Sequence, residues 1–315
     1  MLLKRGESVR VMGRSKYPLL EKSGVETFTG DIRNYEAVMA ATSGMDTVFH
    51  VASMTGIWGK KKDFFETNVT GTKNIIGACK KNGVSKIVYT STPSVIYGSR
   101  ENFENVDESI PYPARYNCFY PETKALAEKM VLVENGKNNL LTVSLRPHLI
   151  WGPRDTNLIP RLIKRAKSGR LVQVGEGKNL VDMVYIDNAA HAHLLAADRL
   201  EAGSLVCGQA YFITQGKPVL LWDWINQVLS SLKLPSVRKT ISYKTAYRLG
   251  FLLEGVYALF RLSGEPMMTR FLASQLAKSH FFNIEKAKRE LSYTPIVSHE
   301  EGMGKMIKYF SSPER

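Results

Sequence analysis

The chain has 315 residues, 44% of them hydrophobic, and a formal net charge of +14, which suits one large α/β domain with a smaller appendage. No apolar run approaches the 18 residues of a spanning helix, and charge follows Met1-Leu2-Leu3 where a signal peptide would carry its apolar core. The positive charge is dispersed except at Lys60-Lys61-Lys62, with no nucleic-acid motif beside it, so nucleic acid is excluded as a partner and an anionic ligand or surface is retained.

Taken in chain order, Met1–Gly6 reads as the end of a helix closed by a C′ glycine, and Val9–Met12 as a strand. Further strands are expected to end near Thr29, His50, Thr90 and Arg146, with helices over Tyr35–Ala41, Phe64–Lys81 and Pro121–Glu134. This alternation predicts a doubly wound parallel sheet. After Trp151 the character changes. Leu158–Lys167 reads as a basic helix, Asp187–Leu200 returns to the first domain, and Tyr211–Thr214 is a further strand. Leu221–Leu232 and Glu285–Leu291 look like parts of a lid. The division expected is 1–153 with 182–215 for the dinucleotide-binding domain, and 154–181 with 216–315 for the substrate-binding lid. Tyr247–Leu262 carries Arg248, Glu254 and Arg261 among apolar residues. A core helix is its default reading, with a greasy substrate wall and an interfacial membrane helix as alternatives. Cys79, Cys118 and Cys207 lie far apart without metal-ligand spacing and read as reduced thiols of a cytoplasmic protein.

The most informative stretch is Tyr120-Pro121-Glu122-Thr123-Lys124. On a helix, residues four apart share a face, and an ammonium beside a phenol lowers its pKa toward a range useful for acid–base work. Upstream, Lys86-Ile87-Val88-Tyr89 reads as a buried strand ending in the hydroxyl cluster Thr90-Ser91-Thr92. Ligands bind at the carboxyl ends of strands in such sheets, so a hydroxyl there could hold a carbonyl while Tyr120 supplies the proton.

A strand-end hydroxyl followed by Tyr-x-x-x-Lys resembles the extended short-chain dehydrogenase/reductase family, and within it the 3β-hydroxysteroid dehydrogenase-like branch. Gly30-Asp31-Ile32, Val48–Ser53, Asn68-Val69-Thr70-Gly71-Thr72, Leu145–Pro153 and Val184–Ala190 resemble further family segments in the right order. The branch is carried by Thr90–Val95, Leu149–Pro153, Asn179–Asp182 and Ile241–Arg248, which resemble reductases of 2-alkyl-3-oxoalkanoates. The resemblance implies a Rossmann-like fold and a nicotinamide-dependent oxidoreductase interconverting 3-oxo and 3-hydroxy groups on a hydrophobic substrate. Its implied catalytic residues are Tyr120, Lys124, Thr92 (Ser91 is the runner-up) and Asn68, whose role would be to hold a water linking Lys124 to solvent. Its implied cofactor contacts are Arg14, Asp31, Ile32, Val51, Ala52, Ser53, Thr90, Tyr120, Lys124, Pro147 and Leu149. Because Gly13-Arg14 follows the second strand where an acid would select NAD, NADP(H) is favoured over NAD(H). Trp58, His148 and Trp151 could equally face the substrate or pack.

One departure stands out. The first strand of the family, its glycine-rich phosphate loop and most of its first helix have no counterpart here, and Gly175-Glu176-Gly177-Lys178-Asn179-Leu180 is a late and incomplete substitute. The expectation is a start codon placed too late, and a chain that as written folds poorly and binds dinucleotide weakly, with a gap in mid-sheet. The alternatives kept are a sugar-nucleotide epimerase or dehydratase and a nucleotide-sensing scaffold. The expected location is cytoplasmic, with peripheral membrane contact and a homodimer left open.

Overall fold

The computed structural model describes residues 1–98 and 102–312, so the last three positions of the expected lid lie outside it. A 3₁₀ turn over Leu2–Arg5 opens the chain and is closed by Gly6 at φ 77°, whose N–H reaches back to the Leu2 and Leu3 carbonyls. Then come β1 (Arg10–Gly13), α1 (Pro18–Glu21), β2 (Glu26–Thr29), α2 (Tyr35–Thr42), β3 (Thr47–His50) and α3 (Lys61–Phe64). A π-helical turn at Phe65–Thr70 leads into α4 (Gly71–Asn82), followed by β4 (Lys86–Thr90), β5 (Phe103–Val106), α5 (Phe119–Val133) and β6 (Leu141–Pro147).

The second half contains β7 (Ile150–Trp151), α6 (Leu158–Lys167), β8 (Gln173–Val174), β9 (Leu180–Val181), β10 (Val184–Tyr185), α7 (Ile186–Arg199), β11 (Ala210–Ile213) and β12 (Val219–Leu220). The chain closes with α8 (Leu221–Ser231), β13 (Thr240–Ile241), α9 (Tyr243–Leu259), α10 (Arg270–Ala277), β14 (His280–Phe282), α11 (Glu285–Leu291) and α12 (His299–Ser311).

β3, β4, β6 and β11 form a parallel sheet in the order β11-β6-β4-β3. β4 and β6 are buried almost throughout, which is why their sequences are near-continuous apolar and β-branched runs. β1 and β2 pair in parallel as a separate two-stranded sheet, and among the described residues no ladder joins β1 to β3. No residue of β1 is fully buried, and in β3 only His50 is. The expected interruption in mid-sheet is therefore present, between the strands ending at Gly13 and His50. What ties the β1–β2 pair to the body is α2, whose Val38 packs with Ile75 and Cys79 of α4, while the Arg10 guanidinium donates to the carbonyls of Ala41 and Ser43.

A second, mixed sheet in the order β12-β9-β14-β5 stands beside the first and draws β5 from the first half of the chain. A separate hydrophobic core in the second half of the chain is built on Trp151, Trp222, Trp224, Ile159, Val228 and Met306. The expectation that α9 is a core helix fails, because only Ala246 and Gly250 of its residues are buried. At Gly250 the helix touches the Thr269–Arg270 backbone so closely that a Cβ would lie 2.5 Å from the Thr269 carbonyl carbon. One narrow line of α9 thus meets α10, and the other faces remain largely exposed.

Candidate active site

α5 carries Tyr120 and Lys124 up to the carboxyl end of β4. Pro121 falls in the first turn of the helix, where its missing N–H costs no intrahelical bond. Lys124 is only 2% exposed. Its Nζ donates to the Thr90 carbonyl at 2.6 Å and stands 4.1 Å from the centre of the Tyr89 ring. Burial pulls the Lys124 pKa down to about 7, against the opposing charge of Glu128. Tyr120 moves the other way from what the sequence predicts: burial raises it to about 12, moderated by a hydrogen bond with Thr92. The Lys124 proton faces a backbone carbonyl, and loss of water around the phenol outweighs any benefit from the cation.

Thr92 caps the 3₁₀ turn Pro93–Ile96, its Oγ1 accepting from the Ser94 N–H at 3.2 Å. It is the hydroxyl of the cluster that reaches Tyr120. Ser91, the runner-up, is buried, and its Oγ makes no hydrogen bond among the described residues. Thr90 bonds His193 at 2.7 Å through its own hydroxyl.

One helical turn beyond Lys124, Glu128 is fully buried and forms a network that the sequence analysis missed. Arg146 of β6 contacts both its oxygens, the closest approach being 2.7 Å, while Ser144 and Tyr112 donate at 2.7 and 2.6 Å. The guanidinium and these donors keep Glu128 ionised despite burial. A spacing of four from Tyr120 to Lys124 and four more to Glu128 is the signal that could have found it.

Asn68 is buried in the π-helical turn. Its Oδ1 accepts from the Met54 N–H at 2.7 Å, and its Nδ2 donates to the Met54 carbonyl and to Thr123 Oγ1, both at 3.0 Å. Both amide hydrogens are used, so the side chain braces the loop after β3 against α5 and has no donor left for a water. The Asn68 carbonyl accepts from Thr72, whose hydroxyl also meets His50 at 2.8 Å. A π-helical turn at this point fits the frequent placement of such bulges at functional sites.

The expected cofactor residues line up along the strand ends. Arg14 follows β1 and is exposed. Asp31 follows β2, is bound through two oxygens by Arg33, and is held low by that pairing, with Arg14 adding a weaker pull. Ile32 packs where a Cβ on Gly71 would sit. Val51 and Ala52 are exposed beyond β3, and Ser53 is half-buried. Pro147 ends β6 in the core, and Leu149 holds the left-handed conformation at φ 40°. The exposed ends of β1 and β3, with a guanidinium at one and the buried amine and phenol at the far side, fit an extended dinucleotide lying across them. Among the described residues, no glycine-rich turn leads from a strand into a helix N-terminus to cradle its pyrophosphate.

Beside these strand ends lies a cavity of about 400 Å³ lined by Ile57 and Leu149, from the loops after β3 and β6, and by Trp224, Met268, Phe271 and Leu272 of the lid. Arg161, Arg165 and Arg170 reach the same cavity, and among the described residues no carboxylate does. Trp58 stacks edge-on against Tyr257, and Trp151 is enclosed by Tyr185, Trp224 and His299. His148 is bonded to Asp182 at 2.7 Å and to His280 at 3.2 Å, which leaves His280 as the imidazole that faces the cavity. Trp151 and His148 are thus packing residues, whose partners come from distant parts of the chain.

This arrangement has counterparts. The family model described as "3-beta hydroxysteroid dehydrogenase/isomerase family" matches residues 1–243. The chain belongs to that family. Among curated relatives of this 3-beta hydroxysteroid dehydrogenase/isomerase member, a 2-alkyl-3-oxoalkanoate reductase of Stenotrophomonas maltophilia (strain K279a) is 45% identical over 306 residues, covering 97% of this chain and 92% of the relative. A decarboxylating sterol-4-alpha-carboxylate 3-dehydrogenase of Mus musculus is 34% identical, covering 98% and 86%. Among solved structures, that of gox2253 superposes with a TM-score of 0.77 at 26% identity, covering 98% of this chain and 92% of that one. The UDP-glucose 4-epimerase of Thermus thermophilus, in complex with NAD, superposes at 0.74 with 24% identity, covering 99% and 94%, and so shares the fold. The Rossmann-like parallel sheet is common ground for the family member described here.

Proposed function

We propose that this chain is an NAD(P)-dependent oxidoreductase that interconverts a 3-oxo and a 3-hydroxy group on a hydrophobic substrate. A 2-alkyl-3-oxoalkanoate is the first choice and a 3β-hydroxysteroid-like compound the second. The observation that carries this is the apolar cavity, which begins at Ile57 and Leu149 beside the carboxyl edge of the sheet where Thr92 and Tyr120 meet. An apolar wall of this kind suits an alkyl or sterol body and offers little to a sugar nucleotide. The domain division expected from sequence is retained in this proposal, with residues 154–181 and 216–315 closing over the substrate.

The nicotinamide, when bound, supplies or accepts the hydride. In reduction Tyr120 donates its phenolic proton to the carbonyl oxygen, and its raised pKa keeps that proton in place at neutral pH. Thr92 donates to the same oxygen and steadies the alkoxide as it develops. Lys124, poised near pH 7 one helical turn from Tyr120, is the group given the return of a proton toward the phenol, and Glu128 with Arg146 fixes the charge behind it. Arg14, exposed and acting only weakly on Asp31, whose carboxyl is held by Arg33, favours NADP(H) by offering its fork to a 2′-phosphate. Peripheral contact with a membrane is part of the same reading, because the substrate is apolar.

Tyr120→Phe tests the assignment. A positioned acid contributes about 10²–10⁴-fold, so turnover of a long-chain 3-oxo acid should fall by at least 10²-fold with cofactor affinity unchanged. A loss of less than about tenfold removes Tyr120 from the mechanism.

A further inference from the structure

A continuous stretch of exposed apolar side chains surrounds the cavity's opening. Leu252 is 63% exposed, Leu259 77% and Phe260 67%, with Phe251, Val256 and Leu262 also open to solvent along α9 and the turn after it. Large side chains in this number on one helix need a reason, since contiguous apolar surface on a soluble protein marks an interaction site. Five cavity-lining residues are themselves exposed: Leu249 of α9, Met267 after it, Asn157 just before α6, and Arg161 and Arg170 in and beyond α6. They place the mouth of the cavity within this surface, so its apolar wall continues outward onto α9.

The charges around the patch are predominantly of one sign. Residues 158–170 and 243–267 together hold eight Lys and Arg and two Glu. Both carboxylates are engaged: Glu254 accepts from the Arg270 side chain and backbone at 2.7 Å, and Glu265 pairs with Arg161. Lys244, Arg248 and Arg261 stand exposed among the apolar residues, and Arg165, its pKa lowered by burial and by Arg161, spends one N–H on the Met267 carbonyl. An isologous dimer through this face would set these cations against their own copies. An anionic lipid surface satisfies both features, taking the apolar side chains below the headgroups and the cations among them.

We propose that α9, the turn to Met267 and the basic face of α6 dock the protein on an anionic lipid surface, with the cavity mouth facing the lipid so that an alkyl-chain substrate enters without crossing water. The proposal deepens the membrane part of the functional reading, but docking is measured without turnover, so either can fail alone. The full chain is sedimented with vesicles of phosphatidylcholine alone and of phosphatidylcholine mixed with phosphatidylglycerol. Binding is expected to the mixed vesicles, weakening as salt rises. Arg261→Glu should lower that binding about 25-fold, roughly fivefold for the cation lost and as much for the anion gained, at about 1 kcal/mol per charge. Leu252→Asp and Phe260→Asp, at exposed positions that should not disturb folding, should abolish it while leaving turnover of a short soluble substrate unchanged. Hydrogen exchange of residues 249–262 should slow on adding mixed vesicles and not on adding neutral ones. Equal binding to both vesicle types, no binding by the monomer, or a dimer in solution that Leu252→Asp splits would each overturn the proposal.

Discussion

Replacing Lys124 by Met keeps most of the buried stem and deletes the amine, and it isolates a stability effect with a definite sign. In the folded protein the amine gives up its proton near pH 7, whereas its ordinary value is 10.5. Between those values the unfolded chain binds one more proton than the folded one, so stability rises with pH across that interval. Below pH 7 both states carry the proton, and the full penalty of burying a cation is present. The displacement from 10.5 to about 7 corresponds to roughly 5 kcal/mol over the whole interval, an order-of-magnitude figure for so enclosed a group. The usable window ends below 9.0, where thiols of the unfolded chain begin to ionise while buried Cys79 and Cys118 do not. From pH 7 to about 8.5 the wild-type gain is then roughly 2 kcal/mol, part of one proton over that interval. Urea unfolding of wild type and Lys124→Met at both pH values provides the measurement. The wild-type midpoint should climb and that of the variant should stay nearly level. Parallel curves would show that Lys124 remains charged in the fold, and its place near pH 7 would be withdrawn.

Glu128→Gln should cost about 3–5 kcal/mol, because it leaves the enclosed Arg146 guanidinium without its counter-ion, and thermal unfolding measures this directly. Arg14→Asp should shift the ratio of kcat/KM from NADPH toward NADH, and a wild type that already prefers NADH would contradict the role given to Arg14. Gly250→Ala should destabilise by about 1–3 kcal/mol, since its Cβ would meet backbone of Thr269 and Arg270 that cannot move alone; an unchanged melting temperature would mean α9 and α10 are less tightly apposed than described.

Local signals are well written in this sequence and tertiary ones poorly. The bounds of α6 match its expected span residue for residue, because period and composition change sharply at its ends. That Tyr120 and Lys124 share one helix follows from their spacing, whereas the choice of Thr92 among the hydroxyls after β4 comes from the family resemblance. The direction of the Tyr120 shift was not legible, since spacing says nothing of how much water the fold removes. The bracing by Asn68 was hidden for a related reason: only the folded loop brings Met54 and Thr123 within reach of its amide. The pairing of His148 with Asp182 and His280 joins residues far apart in sequence, and no periodicity encodes it. The α9 reading failed because an apolar composition shows that a surface needs cover without showing what provides it.

The break between β1 and β3 divides the protein energetically as well as geometrically. An isolated two-stranded unit is marginal in water, and here β1–β2 leans on the body through α2 and the Arg10 side chain in place of a ladder. It is therefore the segment expected to open at the lowest free energy, exchanging its amide protons while β4 and β6 stay closed. Arg14 and Asp31 belong to this loosely tethered unit, whereas Thr90 and Lys124 belong to the firm one. A dinucleotide spanning both would bind only those molecules in which the unit is closed, so its apparent affinity falls with the closed fraction. Substitutions at Val38 or Ile75, far from any ligand, would then weaken cofactor binding by lowering the population that can receive it, with no contact to the cofactor changed.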